Sequence, residues 1–247
     1  KARDTDVQIA AMLGRLADSD DPEIRRGIVF WIAGLESARG LCQPQIRQTF
    51  RRFLRTGTLR QMREWLQEAK RTLATAEGKS ETPPAGYKKR LLRRMRQFVQ
   101  YGDSLRDEWD VAGHHEFRIA AKKFRYTLEI YAPVLGTHFE VALEAVREMQ
   151  SYLGEIHDCD VWESQLEDAV RRLKAGERLL SGWMNHERFI PGLIFLKESC
   201  RERRRQSFAA ASAFWRDEKV SALWPRIAAS LNQRQRAEES DVAECPA

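Results

Sequence analysis

The chain has 247 residues, of which 43% are hydrophobic and 32% charged, with 14 glycines and 8 prolines. That is enough apolar material for a core in one domain or in two similar halves, and the charge-rich, Gly- and Pro-poor balance speaks against a sheet-rich fold. A net charge of +6 and a pI near 9.3 are modest, so the informative point is that the cations are grouped at residues 88–96 (KKRLLRRMR), 115–126 and 201–205 (RERRR). Cys42, Cys159, Cys200 and Cys245 form no CxxC pair, which excludes a cysteine framework and fits a reducing cytoplasm. The longest apolar run, Ile28–Ala33, is too short to cross a bilayer, and no secretory pattern opens at Lys1, so no membrane association is expected.

Period-3.6 spacing predicts helices over 5–18, 22–40, 44–56, 59–75, 87–108, 113–132, 138–152, 159–174, 183–215 and 219–235, with no alternating strand pattern. In the first of the long helices Ile24, Ile28, Trp31, Leu35 and Ala38 mark the apolar side, and Val29 and Ile32 suggest either core or a dimer surface. Arg47, Arg51 and Arg55 recur at helical spacing in the next. The small, polar stretch 74–86, with Pro83–Pro84, reads as a flexible connection. Tyr87–Gln100 then sets Leu91, Leu92, Met95, Phe98 and Val99 on one side and Lys89, Arg93 and Arg96 on another, with Arg90 and Arg94 beside them.

The helix over 113–132 carries two stripes. Phe117, Ala121, Phe124, Leu128 and Tyr131 have the spacing of a core face. His115, Arg118, Lys122 and Arg125 line up about 120° away, where packing gives no reason for a row of nitrogen donors. Solvated faces interleave acids at i,i+4, and only Glu129 follows, one turn past Arg125, as an expected clamp that orients it. Such a row suits an extended polyanion. His114 reads as a helix-start residue, and His115 as a donor to phosphate that takes up a proton when ligand binds; its cationic neighbours discourage a metal. Further on, Gly154 is expected to end one helix and Asp160 with Glu163 to form a capping box for the next. Asp158 and Asp160 read as caps or as anchors for the basic row; with His157 they offer too few carboxylates for a metal site. Lys197, Arg201, Arg204 and Arg205 line up on the late helix, continued by Phe208 and Trp215.

The two halves share a faint repeat. Ile24 to Ala38 reproduces the spacing of Phe117 to Tyr131, and Gly57 and Trp65 match Gly154 and Trp162. Where the second copy has His115, Lys122 and Arg125, the first has Pro22, Val29 and Ile32, so binding is expected to rest on the second. Residues 1–75 would be a degenerate first repeat, 76–86 a connection and 87–235 the second repeat.

His115, Arg118, Lys122, Lys123, Arg125 and Tyr126, followed about 30 residues later by Leu153-Gly154 and His157-Asp158-Cys159-Asp160-Val161, resemble the linked motifs of the CHAD family, the conserved histidine α-helical domain. The resemblance implies an all-α fold of two pseudo-symmetric four-helix bundles with a basic groove or pore between them. It also implies non-catalytic binding of inorganic polyphosphate in a bacterial cytoplasm, with polyphosphate granules or polyphosphate-metabolising enzymes as possible company, and without a cofactor or resident metal. The expected ligand surface comprises Lys89, Arg90, Arg93, Arg96, His115, Arg118, Lys122, Lys123, Arg125, Tyr126, Lys197, Arg201, Arg204 and Arg205, with Glu129, Asp158 and Asp160 supporting it. Two rivals use the same cations. A nucleic-acid binder would profit from exposed aromatics for stacking, which the apolar placement of most Phe and Tyr disfavours. A metal-dependent phosphohydrolase or metal-chelating domain would need a carboxylate cluster facing the row.

Overall fold

The computed structural model describes residues 2–75, 86–135, 139–175 and 186–243. Most of the connection expected at 76–86 therefore lies outside the described residues, as does Cys245. The described residues are all-α, without a strand: α1 (Ala2–Ala17), α2 (Pro22–Arg55), α3 (Thr58–Thr75), α4 (Tyr87–Tyr101), α5 (Val111–Leu135), α6 (Glu140–Lys174), α7 (Ile190–Arg216) and α8 (Glu218–Ala243), with short 3-10 turns at Gly102–Arg106 and His186–Phe189. No helix among them is long and apolar enough to cross a membrane.

Two of the expected helix breaks are absent. α2 runs through Pro44, an exposed position where water can satisfy the carbonyl that proline leaves without a donor. α6 runs through Gly154, so neither the helix end there nor the Asp160–Glu163 capping box forms. The mid-helix glycine costs about 1 kcal/mol, but Leu153 and Ile156 on either side are fully buried and hold the helix to the core. Tertiary burial outweighs a local signal of that size. At the far end α8 continues to Ala243, past the expected limit at 235.

The chain divides into two compact units, residues 1–80 with 164–198, and residues 81–163 with 199–247. They interleave in sequence instead of following the expected consecutive halves, because α6 and α7 each contribute to both.

In the first unit Asp21 caps α2 by accepting from the Glu23 N–H at 2.8 Å, and Pro22 occupies the first helical position. The Arg25 guanidinium donates to the Leu16 and Ser19 carbonyls at 2.6 and 2.7 Å, closing the turn from α1. Gly27 and Gly192 let two backbones meet: a Cβ on Gly27 would stand 2.6 Å from the Gly192 Cα. Phe30 stacks on Phe189 at 4.3 Å, and Met12, Ile28, Ile32, Leu166, Leu193 and Leu196 are buried around this crossing. Ile32 thus belongs to the core, while Val29 is exposed. The repeat does not extend past α2: Gly57 makes a left-handed turn (φ 67°) whereas Gly154 is helical, and Trp65 is exposed whereas Trp162 is half-buried.

In the second unit α4 and α5 pack antiparallel, Tyr87 meeting Tyr131 at 5.5 Å and Phe98 meeting Phe117 at 5.2 Å. The expected apolar face of α5 is the buried one, with Phe117, Ala121, Phe124, Leu128 and Tyr131 all at 6% exposure or less. Phe98 sits at the centre, edge-on to Trp215 and Trp224 at 5.3 and 5.2 Å. A Cβ on Gly102 would overlap the Trp215 ring, so only glycine fits where α4 passes into the 3-10 turn. Phe98→Ala should lower the unfolding free energy by about 3–5 kcal/mol, the cost of an aromatic-sized cavity. Urea titration followed by circular dichroism measures this.

Candidate functional site

Because the buried stripe of α5 fixes its rotation, the basic stripe must face away from the core of the second unit. His115, Arg118, Lys122 and Arg125 are half-buried along it, while Lys123 and Tyr126 are exposed. From His115 to Arg125 the row spans about 15 Å at 1.5 Å per residue, the proportions of a track rather than a pocket for one ion. Among the described residues Arg118, Lys122 and Lys123 have no acidic partner within salt-bridge distance.

At one end of the row α6 adds His157, whose ring lies 5.1 Å from that of His115. Burial, then the charges of Arg118 and His115, hold the His157 imidazole below its ordinary value of 6.5. Sequence reasoning weighed His157 only as a metal ligand, although it stands in the second of the two linked motifs. Toward the other end the Arg125 guanidinium stacks on the Tyr126 ring at 4.7 Å, and its Nε has no hydrogen-bond partner. The expected i,i+4 pair of Glu129 with Arg125 is present, Oε1 lying 3.8 Å from Arg125 Nε, and the same oxygen also accepts from Arg147 Nη2 at 3.0 Å. Arg147 of α6, which the sequence reading did not single out, shares the carboxylate with Arg125.

α4 contributes separately. Lys89, Arg90, Arg93 and Arg96 are exposed, and the first three line an open depression with Gly86 at the helix N-terminus. That end has no side-chain cap and no acid in its first turn, so its amide dipoles add to the positive field.

The late basic cluster is a different object. Arg204 is 4% exposed; its Nε donates to Asp160 Oδ1 at 2.5 Å and its Nη2 to the Glu108 carbonyl at 2.8 Å, with the Trp109 ring 5.5 Å away. Arg201 Nε donates to Glu163 at 2.5 Å, and Arg203 Nη2 to Glu155 at 3.0 Å. Against a burial that favours the neutral acid, hydrogen bonds from Ser207 and Arg203 hold the Glu155 carboxyl below its ordinary range. Arg205 pairs with Glu202 on its own helix. The expectation that Arg201, Arg204 and Arg205 line the ligand surface is therefore corrected: Arg204 is a buried strut, and α6 and α7 supply acids that cancel the others. Lys197, half-buried, falls in the first unit. Asp160 anchors Arg204 rather than capping a helix; Asp158, half-buried next to His157, raises the affinity of that imidazole for a proton. His114 is also structural, buried with its Nε2–H toward the Ser104 carbonyl at 3.1 Å.

Arg204→Met, which strands Asp160 without its cation, should cost about 3–5 kcal/mol, and adding Asp160→Leu should recover most of it. Arg118→Ala should change stability by less than about 0.5 kcal/mol, as for a half-exposed cation with no partner to lose. Chemical denaturation of the three variants tests the division between strut and row. Burial first of all also holds His114 below 6.5. Both imidazoles are then neutral when folded while the unfolded chain takes up protons, so stability should be full above pH 6.5 and fall as pH drops below it. A thermal midpoint lower at pH 5.5 than at pH 7.5, with a smaller drop in His157→Gln, is the expected result.

No curated protein and no solved structure matches the chain. A sequence model of the CHAD domain matches residues 1–167, which takes in the degenerate first segment as well as both linked motifs. With more than half of its length matched, the chain belongs to the CHAD domain family.

Proposed function

We propose that the protein binds inorganic polyphosphate, without catalysis, along the α5 row. The observation that supports this is segregation of charge. In the second unit Glu155, Asp160 and Glu163 of α6 are engaged by arginines of α7, and Arg118, Lys122 and Lys123 of α5 are left without an acidic partner among the described residues. A linear polyanion with one charge per repeating unit complements such a track. Arg118 and Arg125 would hold phosphate oxygens through the fork of the guanidinium, and Lys122 and Lys123 would act as point charges. His115 and His157 would add donors at one end, and Lys89, Arg90, Arg93 and Arg96 would extend the field from α4. Membership of the CHAD family is consistent with polyphosphate as the ligand.

Magnitudes fit a multi-point contact. A charge pair at about 4 Å is worth about 1 kcal/mol in water and about 4 near a protein surface. Micromolar affinity needs about 8 kcal/mol net. No single cation meets that figure; a row of four to six does. Asp160, Glu155 and Glu163, held by Arg204, Arg203 and Arg201, are poorly placed to activate water, which favours binding over hydrolysis. A bacterial cytoplasm, with polyphosphate granules as a location, follows from the same reading.

The triple variant Arg118→Ala/Lys122→Ala/Arg125→Ala, still folded, should bind long-chain polyphosphate about 100-fold more weakly. Its slope of log affinity against log salt should be shallower by roughly 2, since three fewer phosphates are neutralised. Affinity of the wild type should rise as pH falls from 7.5 to 6, because a bound anion favours the imidazolium that burial and Arg118 oppose in His157. Titration of labelled polyphosphate at several salt concentrations and pH values reads all three. Unchanged affinity in the triple variant would place the site elsewhere, and stronger competition by single-stranded nucleic acid than by polyphosphate would favour a nucleic-acid ligand, for which exposed Tyr126 offers a stacking face.

A further inference from the structure

An exposed apolar surface that the polyphosphate reading leaves unused is the hairpin over residues 40–71. Beyond Ile32 no residue of α2 is buried, and none of the described side chains of α3 is. Gly57 turns the chain with φ 67°, and the Thr56 and Thr58 hydroxyls meet at 2.7 Å across the turn. Two amphipathic helices therefore meet at this turn, with little contact between them and almost no core of their own.

Their apolar residues follow a pattern. Ile46, Phe50 and Phe53 on α2 and Leu59, Met62 and Leu66 on α3 are spaced by alternating threes and fours, the a and d positions of a heptad. These six side chains are 36% to 60% exposed, so the two helices cover one another only in part. Most of a helix's stability in a folded protein comes from packing of its apolar stripe, which must be buried against another element. Two consecutive helices with one a/d seam each can supply half of a four-helix bundle.

We propose that two copies of this chain pair through the hairpin, about a twofold axis, to complete that bundle. At roughly 100 Å² apiece the six seam residues, with Trp65 and Leu54 beside them, offer on the order of 800 Å² per copy, the size of a standard stable interface. The outward surface of α3 fits the role, since Arg60 pairs with Glu64 at 3.5 Å and Arg71 with Glu68 at 3.6 Å. The other surface that apolar, arginine-rich helices address is an anionic bilayer, and eight basic residues against two acids over 40–71 give that attraction. A bilayer has no register to read, however, whereas a threes-and-fours seam is what a partner helix reads. The two occupants respond oppositely to salt. Pairing of like-charged hairpins tightens when salt screens their repulsion, and adsorption to anionic lipid weakens.

Sedimentation equilibrium of the whole chain at low and high salt, without polyphosphate, tests the proposal. A dimer that tightens with salt is expected. Phe50→Glu/Trp65→Glu should weaken self-association by about 30-fold or more, as for central aromatic anchors. Both positions are at least 60% exposed, so helical circular dichroism and polyphosphate affinity should be unchanged. A wild type that stays monomeric at micromolar concentration, or a dimer that the double substitution leaves intact, would overturn the assignment. Flotation of monomer with phosphatidylserine vesicles, abolished by salt, would overturn it in favour of lipid.

Discussion

The contact between Arg204 and Asp160 is the constraint from which the rest of the site follows. A guanidinium 4% exposed can be held in a helical interior only if its charge has partners. Asp160 on α6 accepts from Nε and the Glu108 carbonyl before α5 from Nη2, while Nη1 makes no hydrogen bond and stands 3.8 Å from the Glu108 carboxylate, with the Trp109 ring beside the group. One side chain thereby joins α7 to α6 and to the turn that launches α5. With that turn fixed and the Phe98–Phe117–Trp215 cluster setting the rotation of α5, the polar stripe of α5 has one direction left to face.

Charge is sorted by the same packing. α6 presents Glu155, Asp160 and Glu163 to α7, where arginines take them, and Arg147 of α6 shares Glu129 of α5 with Arg125. Two basic clusters of similar composition thus end in different physical states. The α7 cluster is neutralised pairwise and serves structure. The α5 row keeps Arg118, Lys122 and Lys123 without acids, and its field is what an anion would meet. The arrangement also explains why a histidine pair can sit beside an arginine: burial favours the neutral form of His157.

The two units manage apolar surface differently. The second buries an aromatic cluster on α4, α5, α7 and α8. The first has a tight crossing at Gly27 and Gly192 and then extends a hairpin whose seam is uncovered. A short apolar stripe can be satisfied within a chain or between chains, and only the sum of partners present decides which.

Residues alone were sufficient for the helical class, for the buried stripe of α5 and for the row of donors about 120° from it, because helical periodicity is a local property that any packing must respect. Breaks were misread at Pro44 and Gly154, where burial or solvent access outweighed a cost of a few kcal/mol, and the Asp160 cap vanished with the second of them. The meaning of RERRR was not legible either. Nothing near Arg201 and Arg204 in sequence announces Glu163, Asp160 and Glu108 at separations of dozens of residues, and no spacing rule foretells that Arg147 will share Glu129 with Arg125. Local order is written in the order of side chains along one helix; which charges are cancelled and which remain is settled by helices far apart in the chain, since electrostatics acts through distance in space.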